Sequence, residues 1–272
     1  MIQYATLAGA GAILAYLASS VNILQYMRNS EQASQSQRPL ITIIGIALLL
    51  HIISLYPRVI SATGYDFSFF PVSSLIFFVI CLIGWLTLLN RQPVNSLLLV
   101  LLPLAAMTIA AALLFNTNYM PRTVLPAGVA AHVLLSIVSV GLFTIAALQA
   151  LLMKLQMQQL KERHTTGIIE ALPPLQSMEL LLFNVLWAGF FCLSLGLLLG
   201  GIYVKDLFAQ HLAHKTAFSI CAWFVFASLL WGRHQLGWRG RIAVNWTIIG
   251  LALLTAGFFG TKLVLELILQ RP

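Results

Sequence analysis

Apolar runs of about 20 residues recur along the whole chain and are separated by short polar segments. A helix of that length crosses the hydrocarbon core of a bilayer, which is about 30 Å thick. Only 8% of the 272 residues are charged and 60% are hydrophobic, which excludes an ordinary soluble domain. The sequence predicts an all-α fold, a polytopic transmembrane helical bundle of about eight spans. The predicted spans are residues 4–26, 39–56, 70–90, 94–115, 127–153, 177–203, 216–233 and 243–269.

The polar segments are too short for a separate soluble domain, so a single integral membrane domain is predicted for residues 1–272. The formal net charge of +8 does not indicate nucleic-acid binding, because the basic residues lie between apolar runs and mark topology. With the N-terminus outside, nine Lys and Arg residues fall in inner loops and six in outer loops. The positive-inside rule therefore predicts both termini outside. The expected partner is the lipid bilayer, with no nucleic acid.

Histidines inside apolar spans are the strongest candidates for function, because ionisable groups are costly in a bilayer. His51 lies about six residues from the predicted outer end of the second span, and His132 about five residues from the outer end of the fifth. The two imidazoles are therefore predicted to lie at similar depth. Neutral imidazole nitrogen in an apolar slot is a common haem ligand, so His51 and His132 are predicted as metal ligands of a haem.

The alternative is that each histidine hydrogen-bonds a serine or a backbone carbonyl and joins helices, which is common in membrane bundles. Ser54 and Ser136 follow the two histidines at helical spacing and are candidate partners. The residues alone leave both interpretations open.

Three further residues are candidates for the cofactor site. Arg58 and Arg122 flank the outer ends of the second and fourth spans, where guanidinium groups could pair with haem propionates or with lipid headgroups. His234 lies beside Trp231 at the inner end of the seventh span, where anchoring at the membrane surface is the competing interpretation.

Three segments carry a resemblance to a known family. Residues 131–153 begin AHVLLSIVSV, residues 231–241 read WGRHQLGWRGR, and residues 69–75 read FFPVSSL. Their order, with PPLQSME at 173–179, resembles the cytochrome c assembly family of CcsA, CcmC and HemX proteins, and within it a branch of small inner membrane proteins. The segment around His234 is the most specific of them.

The resemblance implies a multi-pass protein of the bacterial inner membrane that handles haem at the outer face. It implies that His132 is an external haem ligand and that His234 is a ligand within the membrane. The family's tryptophan-rich loop should lie between the sixth and seventh spans, but residues 204–215 contain no tryptophan. No histidine follows the last predicted span, so His51 is predicted as a replacement ligand.

The leading hypothesis is thus a haem-binding membrane protein of cytochrome c assembly, working with other assembly or envelope membrane proteins. No nucleophile with an adjacent base and no phosphate-binding loop stands out, so the sequence predicts no enzyme. A small-solute transporter is one alternative, although Pro103 is the only interior helix break that the sequence offers. A ligand-free scaffold or regulatory subunit is the other.

Overall fold

The computed structural model describes residues 2–28, 38–61, 64–90, 94–115, 126–162, 172–204 and 210–257. It is helical, as predicted, with eight helices in these residues. The helices are α1 (Ile2–Arg28), α2 (Arg38–Val59), α3 (Phe69–Leu89), α4 (Asn95–Leu114), α5 (Ala127–Glu162), α6 (Leu175–Tyr203), α7 (Gln210–Gln235) and α8 (Arg241–Thr255).

Seven of the described helices, α1 to α7, are long and apolar enough to cross a membrane. The polytopic helical bundle predicted from the apolar runs is therefore confirmed. The eighth helix is shorter, at 15 residues, and the second half of the predicted span 243–269 lies outside the described residues. The orientation of the termini stays a prediction.

The helices gather into two compact units, each of four helices. In the first unit α1 packs on α2 and α4, and α3 packs on the same two helices, which makes a closed ring. In the second unit α5 and α7 each pack on α6 and α8 in the same way. The prediction of one membrane domain for residues 1–272 stays a prediction.

Helix ends follow the local chemistry of the chain. Pro71 lies in the first turn of α3, where a missing N–H leaves no hydrogen bond unmade, and Pro174 immediately precedes α6. Pro103 lies in the interior of α4, which continues through it. A two-stranded hairpin, β1 (Ile60–Ser61) and β2 (Gly64–Tyr65), connects α2 to α3 and was not predicted.

Candidate functional site

His132 packs against a glycine face of α6 in the second unit. Its Nδ1 lies 2.7 Å from the carbonyl oxygen of Gly196. One turn further along α6, a Cβ atom at Gly200 would lie 2.9 Å from Cε1 of the imidazole and 3.0 Å from Nδ1. The ring can approach the α6 backbone this closely because glycine occupies position 200.

This hydrogen bond determines the tautomer of His132. A carbonyl oxygen only accepts, so Nδ1 carries the proton and donates it. In the neutral imidazole Nε2 then carries a lone pair. The residue is half-buried, and within the described ranges no hydrogen-bond partner contacts Nε2. Histidines that ligate metals usually donate their other ring N–H to a carbonyl or carboxylate in this way, so His132 fits a haem iron as a ligand.

His51 lies in the interior of the first unit with both ring nitrogens occupied. Its Nδ1 is 3.1 Å from the Tyr16 hydroxyl on α1, and its Nε2 is 2.9 Å from the Ser74 hydroxyl on α3. The rings of Tyr16 and Phe78 meet the imidazole edge-on. His51 is fully buried, so in this arrangement it offers no nitrogen to an iron without breaking one of these bonds.

The two predicted ligands thus belong to different units, and each has partners within its own. The hydrogen bonds match the helix-joining alternative, although the partners are not the nearby serines that the sequence suggested. Ser136 donates instead to the carbonyl of His132 on its own helix. A haem held jointly by His51 and His132 stays a prediction.

Arg58 lies at the end of α2 in the first unit and reaches α4. Its Nη1 donates to the carbonyl of Ala112 over 2.6 Å, while its buried Nε has no hydrogen-bond partner. No acidic residue in the part of the chain that the structure describes forms an ion pair with Arg58. The guanidinium therefore retains donors that suit a carboxylate. Arg122, the other predicted propionate partner, lies outside the described residues.

His234 lies exposed in the last turn of α7, next to an ion pair. Arg233 reaches Oε1 of Glu179 on α6 over 2.7 Å, and Arg239 lies 3.9 Å from the same oxygen. The Arg233 guanidinium also stacks over the Phe183 ring at 4.5 Å.

The sequence did not predict the hydrogen bonds of His51 or the ion pair between Arg233 and Glu179. Tyr16 and Ser74 could have been suspected as polar residues within apolar spans. Glu179 and Arg233 could have been paired because both lie at the predicted inner ends of neighbouring spans. No group of three or more potential metal ligands of the His, Cys, Asp or Glu type was found among the described residues.

The sequence profile described as "Cytochrome C assembly protein" matches residues 40–269. This chain belongs to the cytochrome C assembly protein family. The match covers all three segments on which the resemblance rested, and it includes His51, His132 and His234. The family predicted from the sequence is therefore confirmed.

Curated relatives agree with this assignment. The inner membrane protein YpjD of Escherichia coli strain K12 is 32% identical over 94% of this chain and 98% of its own length. The cytochrome c biogenesis protein CcsA of Synechococcus sp. strain CC9605 is 22% identical over 33% of this chain and 30% of its own. No solved structure matches the chain. With its apolar helices, this family member is a multi-pass protein of the bacterial inner membrane, as predicted.

Proposed function

We propose that this protein binds haem through Nε2 of His132 and serves cytochrome c assembly in the bacterial inner membrane. The observation that carries the proposal is the hydrogen bond from Nδ1 of His132 to the Gly196 carbonyl. It holds the ring in the tautomer whose other nitrogen can coordinate iron. Haem supplies the iron and two carboxylates, and the protein supplies the ligand and its orientation.

The position of His132 supports the proposal. His132 is the sixth residue of α5, and its partner Gly196 lies near the C-terminal end of α6. The imidazole is therefore close to one end of the second unit. The residue is only half-buried, so part of its surface is open to a ligand. Family membership supports a role in cytochrome c biogenesis, and the CcsA relative carries that role in its name.

The proposal rests on His132 and not on His51. Both nitrogens of His51 are engaged with Tyr16 and Ser74, and that arrangement already satisfies a buried imidazole. His234 is the ligand within the membrane that the family resemblance implies, but it follows Arg233, which pairs with Glu179 at the start of α6, whereas His132 contacts Gly196 near the end of that helix. His234 is therefore too far from His132 to coordinate the same iron. The transporter alternative expects helices broken near their middle, whereas α4 runs through Pro103 without interruption.

Absorption spectroscopy of the detergent-purified full chain tests the proposal. We expect a Soret band in the isolated or haem-reconstituted protein, loss of that band in His132→Ala, and its partial return in His132→Gly with added imidazole. His214→Ala is the matched control, because it removes an exposed histidine at the start of α7 and leaves the contact between His132 and Gly196 in place.

His51→Ala and His234→Ala separate the remaining candidates. Because His234 lies at the opposite end of α6 from His132, partial loss of the band in His234→Ala would indicate a second haem there. An unchanged band in His51→Ala would exclude His51 as a ligand. A Soret band that is unchanged in His132→Ala contradicts the proposal. No band in the wild-type protein under either preparation favours the ligand-free scaffold.

A further inference from the structure

We propose that the second unit carries a binding site for the phosphate group of an anionic phospholipid, at the end where α6 begins and α7 ends. A cleft of about 650 Å³ opens there. Its polar lining consists of Gln176, Ser177, Glu179, Arg233 and Arg239. This site is separate from the His132 site at the other end of α6.

The charges in the cleft do not balance. Two guanidinium groups face one carboxylate, which leaves one net positive charge. Arg233 is occupied by Glu179, by the Phe183 ring and by the carbonyl of Trp238, which it reaches over 3.4 Å. Arg233 therefore neutralises Glu179 and holds it in place.

Arg239 is the cation that remains for a ligand. Its side chain is 70% exposed and lies 3.9 Å from Glu179, a distance at which the ion pair is weak. Gly237 and Gly240 on either side of it have φ angles of 67° and 53°, which L residues with side chains rarely adopt. The turn between α7 and α8 therefore fixes the backbone position of Arg239. The Ser177 hydroxyl and the Gln176 amide line the same cleft. Together with the Arg239 guanidinium, they suit a phosphate oxyanion.

A row of apolar side chains continues from the cleft along α6. Leu180 lines the cleft and is 63% exposed, and Trp187 and Phe191 on the same face of the helix are 55% and 64% exposed. Residues spaced by 7 and 4 positions lie on one side of a helix. A headgroup in the cleft would thus have its acyl chain beside this row. Basic pockets between membrane helices are typical sites for anionic lipid headgroups, and the row favours a lipid over free phosphate.

Native mass spectrometry of the delipidated full chain in detergent tests this site. The probes are phosphatidylglycerol, phosphatidylcholine with the same acyl chains, and inorganic phosphate in excess. We expect phosphatidylglycerol to bind more tightly than phosphatidylcholine, with inorganic phosphate failing to displace it. Arg239→Gln should weaken phosphatidylglycerol binding about fivefold, the equivalent of about 1 kcal/mol for one surface cation.

Arg241→Gln is the matched control, because Arg241 is exposed at the start of α8 but does not line the cleft. Equal weakening in the two variants would mean diffuse attraction by basic residues and would overturn the proposal. Equal binding of the two lipids would overturn it as well. Displacement by inorganic phosphate, with no effect of Leu180→Asn on lipid binding, would instead assign the cleft to free phosphate.

Discussion

The hydroxyl of Tyr16 lies 3.1 Å from Nδ1 of His51, and this contact joins α1 to α2 in the interior of the first unit. Ser74 extends the connection to α3 from the opposite nitrogen. Three helices are therefore linked through one imidazole, in a setting where water does not compete for its hydrogen bonds.

Tyr16→Phe should destabilise the protein by about 1 kcal/mol, because it removes the partner of a buried ring nitrogen and keeps the aromatic ring. The measurement is thermal unfolding in detergent, followed by circular dichroism. Tyr4→Phe is the control, since Tyr4 is 76% exposed. Equal melting temperatures for the two variants would show that the Tyr16 contact contributes nothing to stability.

Gly200→Ala should displace the His132 imidazole, because the added methyl group would lie 2.9 Å from Cε1 of the ring. We expect weaker haem binding or a shifted Soret band, measured by titration. Gly201→Ala adds the same methyl group to the same helix where nothing lies within 4 Å, and should leave the spectrum unchanged. Identical spectra for the two variants would argue against His132 as the ligand.

Glu179→Gln should lower stability by about 1–2 kcal/mol, between the values for exposed and buried ion pairs, because it leaves the partly buried Arg233 without its carboxylate. Glu162→Gln, at an exposed position on α5, should change stability little. In a double-mutant cycle with Arg233→Gln, we expect a combined loss smaller than the sum of the single losses. Additive losses would mean that the two residues do not interact energetically.

Gly250→Ala should destabilise the second unit by about 1–3 kcal/mol, as overpacking of a close-packed core does. The added Cβ would lie 2.5 Å from Cζ of Phe226, whose ring stacks on Phe143 with centroids 3.7 Å apart and cannot withdraw easily. Chemical unfolding in mixed detergent micelles measures the loss. An unchanged midpoint would show that the ring pair can shift at no cost.

The positions of the helices could be predicted from the sequence, because a run long and apolar enough to span a membrane is visible in composition alone. The ends of the helices could be predicted less well where a helix continues beyond the apolar run that spans the membrane. The fifth span was predicted to end at residue 153, while α5 continues through polar residues to Glu162.

The candidate site was predictable only as a set of residues. Which helix face meets which neighbour depends on rotations that a sequence does not display, so the link from His51 to Tyr16 and Ser74 was not foreseen. The partner of His132 is a backbone carbonyl, which every residue possesses and no sequence pattern marks. The haem ligands therefore stay predictions that spectroscopy must test.

The backbone origin of that acceptor has a consequence for how freely α6 can vary. A methyl group at position 196 would find its nearest neighbours 3.7 Å away, so alanine could replace Gly196 there and still present the same carbonyl to the imidazole. Alanine cannot replace Gly200 in the same way, because its Cβ atom would contact the His132 imidazole. Alanine at position 196 should therefore leave the proton on Nδ1 of His132. A side chain at position 200 should instead rotate the imidazole, so that the lone pair of Nε2 points in a different direction.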